Sequence, residues 1–533
     1  MIAKSLRLLL GSLLFLGLLA GCAPVAAPAA TDTGSTAGAT ANVLVRAMTS
    51  EPAVIDPQGA PSSGLSLVLP YLFDTLVVRD VDNTILPALA ESWETSDDGL
   101  TVTMRLKPGV TFHDGTPLDA AAVQATFERF KETGMASPIY EGVTQIASIE
   151  AVDDATVAFH FDQPAANFWS TISMPYAAII SPASIEAAAA AGTGHLVGSG
   201  PFKLAGCTLE RNPDYAWGPP TTENQGAPYL DQVIFKVIPD ASTQLAALEA
   251  GEVDVIFINQ PSHKQKLESD PNVTLHETVL NSLIYLGFNT QRPPFDEMTV
   301  RQAIAHAINK DEIVSLALGG LGQAAFAPLP PTLPGFDPSL KDYELGFDPE
   351  RSRALLAEAG FEADSDGSWV RDGEPLQARL LTSTRPPNEA IATLIQSQLA
   401  AIGVPVEIQQ LDGKAVMEAT GKGEFELLLW RYDWNDPDAL NIFLSAARIG
   451  STNRVGYSNP EVDALLEAGA HELDEAARNA LYVQAQQLIL QDAPWQPLYV
   501  PVDVLAIRNR VQGAKPGYMG RLLLNDATIA PQP

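Results

Sequence analysis

Apolar residues recur along this chain with two periods. Val102, Met104 and Leu106 alternate, as do Val157, Phe159 and Phe161, and each set falls on one face of a strand. Between them Val123, Phe127 and Phe130 share a helical stripe, with Asp119 placed where an N-cap carboxylate is needed. The helical stripe returns at Val300, Ala303, Ile304, Ala307 and Ile308, and again at Ile391, Leu394, Ile395, Leu399 and Ile402, where Gly403 stops it. Strands are predicted from Val43 to Val45 and from Val404 to Ile408, with a turn at Asp56-Pro57. Leu89 and Trp93 have the spacing of core residues on a helix, and His160 alternates away from the apolar face of its strand. Strands alternating with helices over this length, with no internal repeat, predict mixed α/β layers.

The first 42 residues break both periods. Lys4 and Arg7 precede an apolar run from Leu8 to Leu18, shorter than the about 20 residues that usually cross a bilayer and suited to a secretory leader. Leu19-Ala20-Gly21-Cys22 closes the run and resembles the bacterial lipobox, in which the Cys thiol is diacylated and the preceding peptide removed. Residues 1–22 are therefore expected to be a signal peptide and lipobox, and the protein to lie outside the cytoplasm, anchored to the membrane by a lipid on Cys22. Leu204-Ala205-Gly206-Cys207 repeats the tetrapeptide without an apolar lead and reads as coincidence. Residues 23–42 are almost wholly Ala, Pro, Thr, Ser and Gly, a disordered tether that reaches roughly 60 Å when extended.

The 533 residues exceed what one hydrophobic core usually supports, so two or more domains are expected. With 64 acidic against 32 basic side chains the net charge is −32, which excludes the basic face that a nucleic-acid partner would need. Only two Cys exist, and lipidation of Cys22 would leave Cys207 without an intrachain partner. The seven His do not cluster: His276-Glu277 and His471-Glu472 begin like a zinc-protease motif but lack its second His. No nucleophile elbow or Walker loop occurs, and Gly198-Ser199-Gly200 reads as a turn. His113 and Asp114 could be a catalytic base and acid, but Asp114-Gly115-Thr116-Pro117 is explained by a turn. No catalytic residue, metal or cofactor is expected.

Several segments in order resemble the extracytoplasmic peptide-, dipeptide- and nickel-type solute-binding proteins of ABC importers, over nearly all of Val43 to Gly520. They are Ile55-Asp56-Pro57, residues 86–93, Asp97-Asp98-Gly99-Leu100, Phe112 to Pro117, Gly198 to Phe202 and Arg211 to Tyr215. Gly251-Glu252-Val253-Asp254, Phe288-Asn289, Pro293-Pro294-Phe295, Val300 to Ile304 and Gly456 to Pro460 follow. The resemblance implies an α/β, two-lobed periplasmic-binding-protein fold with a hinge and an extra domain inserted in the first lobe. On this chain lobe I would comprise 43–73, 198–285 and 501–533, the insert 74–197 and lobe II 286–500, with crossings near Leu286 and Pro501. A hairpin that is longer in the family is trimmed here to Lys203–Glu210.

The implied function is a monomeric receptor that captures a small solute, a peptide foremost, and delivers it to permease subunits served by separate ATPase chains. Trp430-Arg431-Tyr432-Asp433-Trp434-Asn435 resembles the segment with which peptide-binding members hold an α-amino group, which makes Asp433 the acid and Trp430 and Trp434 candidate pocket walls. Arg385-Pro386-Pro387-Asn388 resembles the carboxylate-binding segment of dipeptide members, although Pro387 replaces an aromatic. The alternatives are a receptor of the same fold for an oligosaccharide or metal chelate, a secreted hydrolase, and a surface adhesion or chaperone-like protein.

Overall fold

The computed structural model describes residues 42–191, 194–206 and 208–531. The leader, the lipobox Cys22, the tether to Ala41 and Cys207 lie outside the described residues. Asn42, expected at the end of the tether, belongs to the folded body: its backbone N–H donates to Asp231 Oδ2 at 2.8 Å, and its Oδ1 accepts from the Ile529 N–H at 2.6 Å.

Two sheets share one long strand, Trp495–Arg508. Its C-terminal half lies between Val255–Ile258 and Val273–Val279, both antiparallel to it. Beyond Val255–Ile258 the sheet continues through Val43–Met48, Gln232–Val237, Thr208–Arg211 and Phe202–Ala205. Its N-terminal half pairs with Ser282–Phe288, and that sheet continues through Leu427–Asp433, Ala378–Ser383 and Val406–Leu411. The main chain therefore crosses between the sheets twice. One crossing is at Leu280-Asn281, between Val273–Val279 and Ser282–Phe288, earlier than the expected Leu286. The other falls around Pro501, where the long strand changes partners.

A separate four-stranded antiparallel sheet, in the order Ala90–Thr95, Thr101–Leu106, Thr156–Phe161 and Ile146–Asp153, lies within residues 74–197. Helix Ala120–Thr133 covers it, and the Asp119 carboxylate accepts from the Ala122 N–H as an N-cap. Phe127 and Phe159 of this insert join Leu44 and Val233 of the first sheet in one apolar core. The helical expectation for Leu89 and Trp93 is overturned: this segment runs into strand Ala90–Thr95. Its pairing with Thr101–Leu106 supplies backbone partners that local spacing does not show. The second helical stripe is helix Asn388–Ala401, and Gly403 at φ +86° turns the chain into Val406–Leu411.

The recurring motifs are mostly fastenings. Asp254 of the Gly-Glu-Val-Asp segment is fully buried; it accepts from the Val45 N–H and pairs with Arg510. Arg301 donates to the carbonyls of Phe295, Asp296, Asp492 and Ala493. Asp74 accepts from Ser199 Oγ at 2.8 Å, Tyr215 Oη at 2.9 Å and Trp217 Nε1 at 3.0 Å, which ties the insert's start to two motifs. Asp114 Oδ1 accepts from the Thr116 N–H and hydroxyl, so that stretch is a turn.

Candidate functional site

Where the two sheets meet, strand alternation gathers charge on one face. Tyr499, Pro501 and Asp503 alternate along the long strand. Ile284 lies opposite Tyr499 on one side and Arg431 on the other, so the three form a row across three strands. Arg431 and Asp433, two residues apart, project together. Arg431 Nε donates to Asp433 Oδ2 at 2.8 Å, and the second guanidinium nitrogen closes a two-pronged ion pair. Arg385, in the loop after strand Ala378–Ser383, has no ion-pair partner among the described residues. Desolvation, and then the like charge of Arg431, hold its pKa below the usual guanidinium range.

Asp503 makes no hydrogen bond through its carboxylate among the described residues. Burial pushes its pKa up to about 6, with Arg431 and Arg385 pulling it down and Asp433 pushing it up. The four charged groups thus form one electrostatic set across the seam between the sheets.

Two cavities flank this set. One, of about 460 Å³ on the second-lobe side, is lined by Ile284, Ser383, Arg385, Trp430, Arg431 and Tyr499. The other, of about 350 Å³ on the first-lobe side, includes Asp503 and runs between strand Val43–Met48, helix Ser63–Leu72 and residues 174–176. Both volumes fall within the about 300–1,000 Å³ typical of small-molecule sites.

Of the four side chains singled out from sequence, Arg385 and Trp430 share the second-lobe cavity. Asp433 stands on the same strand with its side chain 54% exposed and already paired to Arg431. Trp434 packs edge-on against Phe443 with ring centroids 5.9 Å apart, beside the second-lobe core. The reading missed Arg431, Asp503, Arg46 and Arg521. Arg46 and Asp503 did carry a signal: each is a lone charge inside an apolar strand, Val43–Met48 and residues 495–507 respectively.

Among the described residues no group of three His, Cys, Asp or Glu could hold a metal ion, and no helix is long and apolar enough to cross a membrane.

A two-lobed body with a charged seam flanked by cavities is the form of a solute-binding protein, and the comparisons agree. The sequence model of bacterial extracellular solute-binding proteins, family 5, matches residues 84–451. Heme-binding protein A of Haemophilus influenzae is 32% identical over 461 residues, 80% of this chain and 81% of that protein. Di/tripeptide-binding protein 2 of Pseudomonas aeruginosa is 32% identical over 464 residues, 81% of this chain and 84% of its own. Among solved structures, HbpA2 from Haemophilus parasuis superposes with a TM-score of 0.81 at 27% identity, covering 92% of this chain and 100% of that one. The chain belongs to the family 5 solute-binding proteins of ABC importers. Its fold is their two-lobed α/β fold.

Proposed function

We propose that this protein is the lipid-anchored receptor of an ABC importer, that its solute is a small peptide, and that the peptide lies across the seam between the two sheets. The observation that carries this reading is the convergence of Arg385, Arg431, Asp433 and Asp503 between two ligand-sized cavities. A zwitterionic chain needs fixed charge of both signs, and this seam supplies both. The relatives named for di- and tripeptides support the same class. Arg385 and Trp430 form the second-lobe wall, Asp433 meets the peptide's ammonium with Arg431 as its standing partner, and Trp434 braces the strand end. The protein performs no chemistry; it binds, and hands its solute to permease subunits.

The test is calorimetric titration with tripeptides bearing free or acetylated N-termini. Asp433→Asn weakens the free-amine peptides by about 1 kcal/mol, the modest figure appropriate to an exposed, pre-paired carboxylate, and leaves the acetylated ones unchanged. Equal loss for both peptide forms removes Asp433 from the amine site. Absence of binding to any tripeptide removes the peptide reading.

A further inference from the structure

The first-lobe cavity holds two guanidiniums for which the described residues provide no counter-charge. Arg46 is 6% exposed, and its side chain's hydrogen bond is from Nη1 to the Tyr71 hydroxyl, at 3.2 Å. Tyr71 in turn donates to the Leu522 carbonyl at 2.9 Å, so the phenol is fixed in place. Arg521 lines the same cavity, and its guanidinium meets Met174 Sδ at 3.8 Å, a weak acceptor. Desolvation draws its pKa down to about 10, with Tyr518 and Tyr176 as the neighbours that partly oppose this.

The contrast with Arg301 is instructive. That buried guanidinium also lacks an ion pair, but four carbonyls saturate it. Arg521 has five N–H donors and no such cradle. In a chain with twice as many acids as bases, a cavity with two unneutralised guanidiniums is a local reversal of sign. Its one carboxylate, Asp503, couples to Arg431, Asp433 and Arg385, and not to Arg521. Leu67, Met174, Tyr176 and Met519 supply apolar wall.

We infer that the cavity between strand Val43–Met48, helix Ser63–Leu72 and Arg521 is a carboxylate subsite, in which Arg521 and Arg46 take the anionic end of the solute, while Asp503 joins Asp433 in meeting its ammonium. This deepens the peptide reading and rests on it. The solute's carboxylate then enters the first lobe, away from Arg385. Apolar walls strengthen the charged hydrogen bonds by excluding water, and they accept an apolar terminal side chain.

The probe is a library of tripeptides built from Gly, Ala, Leu and Phe, whose only carboxylate is C-terminal, together with its C-terminally amidated twin. Each is mixed with the full-length folded protein, and retained peptides are counted by mass spectrometry after gel filtration. The free-acid library is retained roughly tenfold or more over the amidated one, as expected for loss of a desolvated charged partner. R521Q reduces this preference to roughly threefold or less and R521K restores part of it, whereas R385Q lowers retention of both libraries alike and leaves the ratio between them intact. R46Q is the second variant should R521Q fail to fold, as judged by circular dichroism, and it lowers the preference likewise. Equal retention of the two libraries overturns the subsite while the peptide reading stands. A preference abolished by R385Q and untouched by R521Q and R46Q also overturns it, and moves the carboxylate to the second lobe. Retention of neither library overturns the peptide reading, and the subsite with it.

Discussion

Asp503 is a carboxylate placed where ionising it is costly. Its folded pKa, about 6, lies above the ordinary 3.8, so between these values the folded state binds more proton than the unfolded one. The contribution of Asp503 to stability therefore falls as pH rises from about 4 to about 6 and is constant above. Asp503→Asn removes that contribution and, in the absence of solute, raises stability at pH 7.5 by about 2 kcal/mol. Urea unfolding of both proteins at pH 4.5 and 7.5 checks this. Binding carries the opposite sign. Only the ionised carboxylate attracts a cation, so the affinity for free-amine tripeptides declines as pH is lowered through about 6 in the parent and not in Asp503→Asn. A parent affinity that is flat from pH 5 to 7.5 counts against Asp503 as a solute contact.

At the scale of elements, the segment after strand Leu427–Asp433 turns its acids inward. Asp436 is buried and accepts from Arg478 Nη2 at 2.5 Å, Arg478 Nη1 at 3.2 Å and Ser170 Oγ at 2.8 Å. Arg478 comes from helix Glu475–Asp492 and Ser170 from helix Phe168–Ile172, so one carboxylate joins the insert to the second lobe. Arg478 holds Asp436 below the usual carboxylate range against the effect of burial. Asp438, two residues on, accepts from Tyr482 Oη at 3.3 Å and is pushed up to about 7 by burial and by Asp436. Removing the cation leaves an uncompensated buried charge. Arg478→Met therefore destabilises the protein by about 3–5 kcal/mol at pH 7.5, measured by urea unfolding. A loss under about 1 kcal/mol would show that solvent reaches Asp436.

For the whole molecule, the hinge and the far contacts act together. Asn281, at the first crossing, donates to Tyr518 Oη at 2.6 Å, and Arg79 of the insert donates to the Asn435 carbonyl at 2.9 Å. Asn83 donates to the Thr332 carbonyl at 2.8 Å, and His471 bonds the Pro164 carbonyl at 2.7 Å. The last three contacts bridge insert and second lobe, so the lobes are held together on that side. A rigid-body swing about the two crossings must break them, and a solute touching both lobes favours their formation. A retained tripeptide therefore reduces the radius of gyration in solution scattering and raises stability by about 2.7 kcal/mol at a hundredfold excess over Kd. An unchanged scattering profile with saturating peptide counts against closure. The proposed lipid anchor is tested separately. Cys22→Ser releases the protein from the membrane fraction or leaves it unprocessed, with tripeptide binding intact, as fractionation and mass spectrometry will show.

The sequence by itself determined the class of protein and most of its elements. The class rests on the resemblance of its ordered motifs to a known family, and the elements on local spacing: the period of two at Val102, Met104 and Leu106, the stripe at Ile391, Ile395 and Leu399, the Asp119 cap, and turns such as Asp114-Gly115. It singled out Arg385 and Trp430 from contiguous motifs, and the two line one cavity. Tertiary structure decided the rest. Trp93 became strand, and Leu89 the residue leading into it, because strand Thr101–Leu106 folds back alongside and offers hydrogen bonds. Asp433 became half of an ion pair because alternation put Arg431 on its own face. Arg46 lies hundreds of residues before Asp503 and Arg521 in the chain, and the three line one cavity only after the long strand Trp495–Arg508 has joined both sheets. Charge is a property of a residue. Whether that charge is neutralised depends on which distant side chains the fold brings within a few ångströms, and spacing along the chain does not encode that.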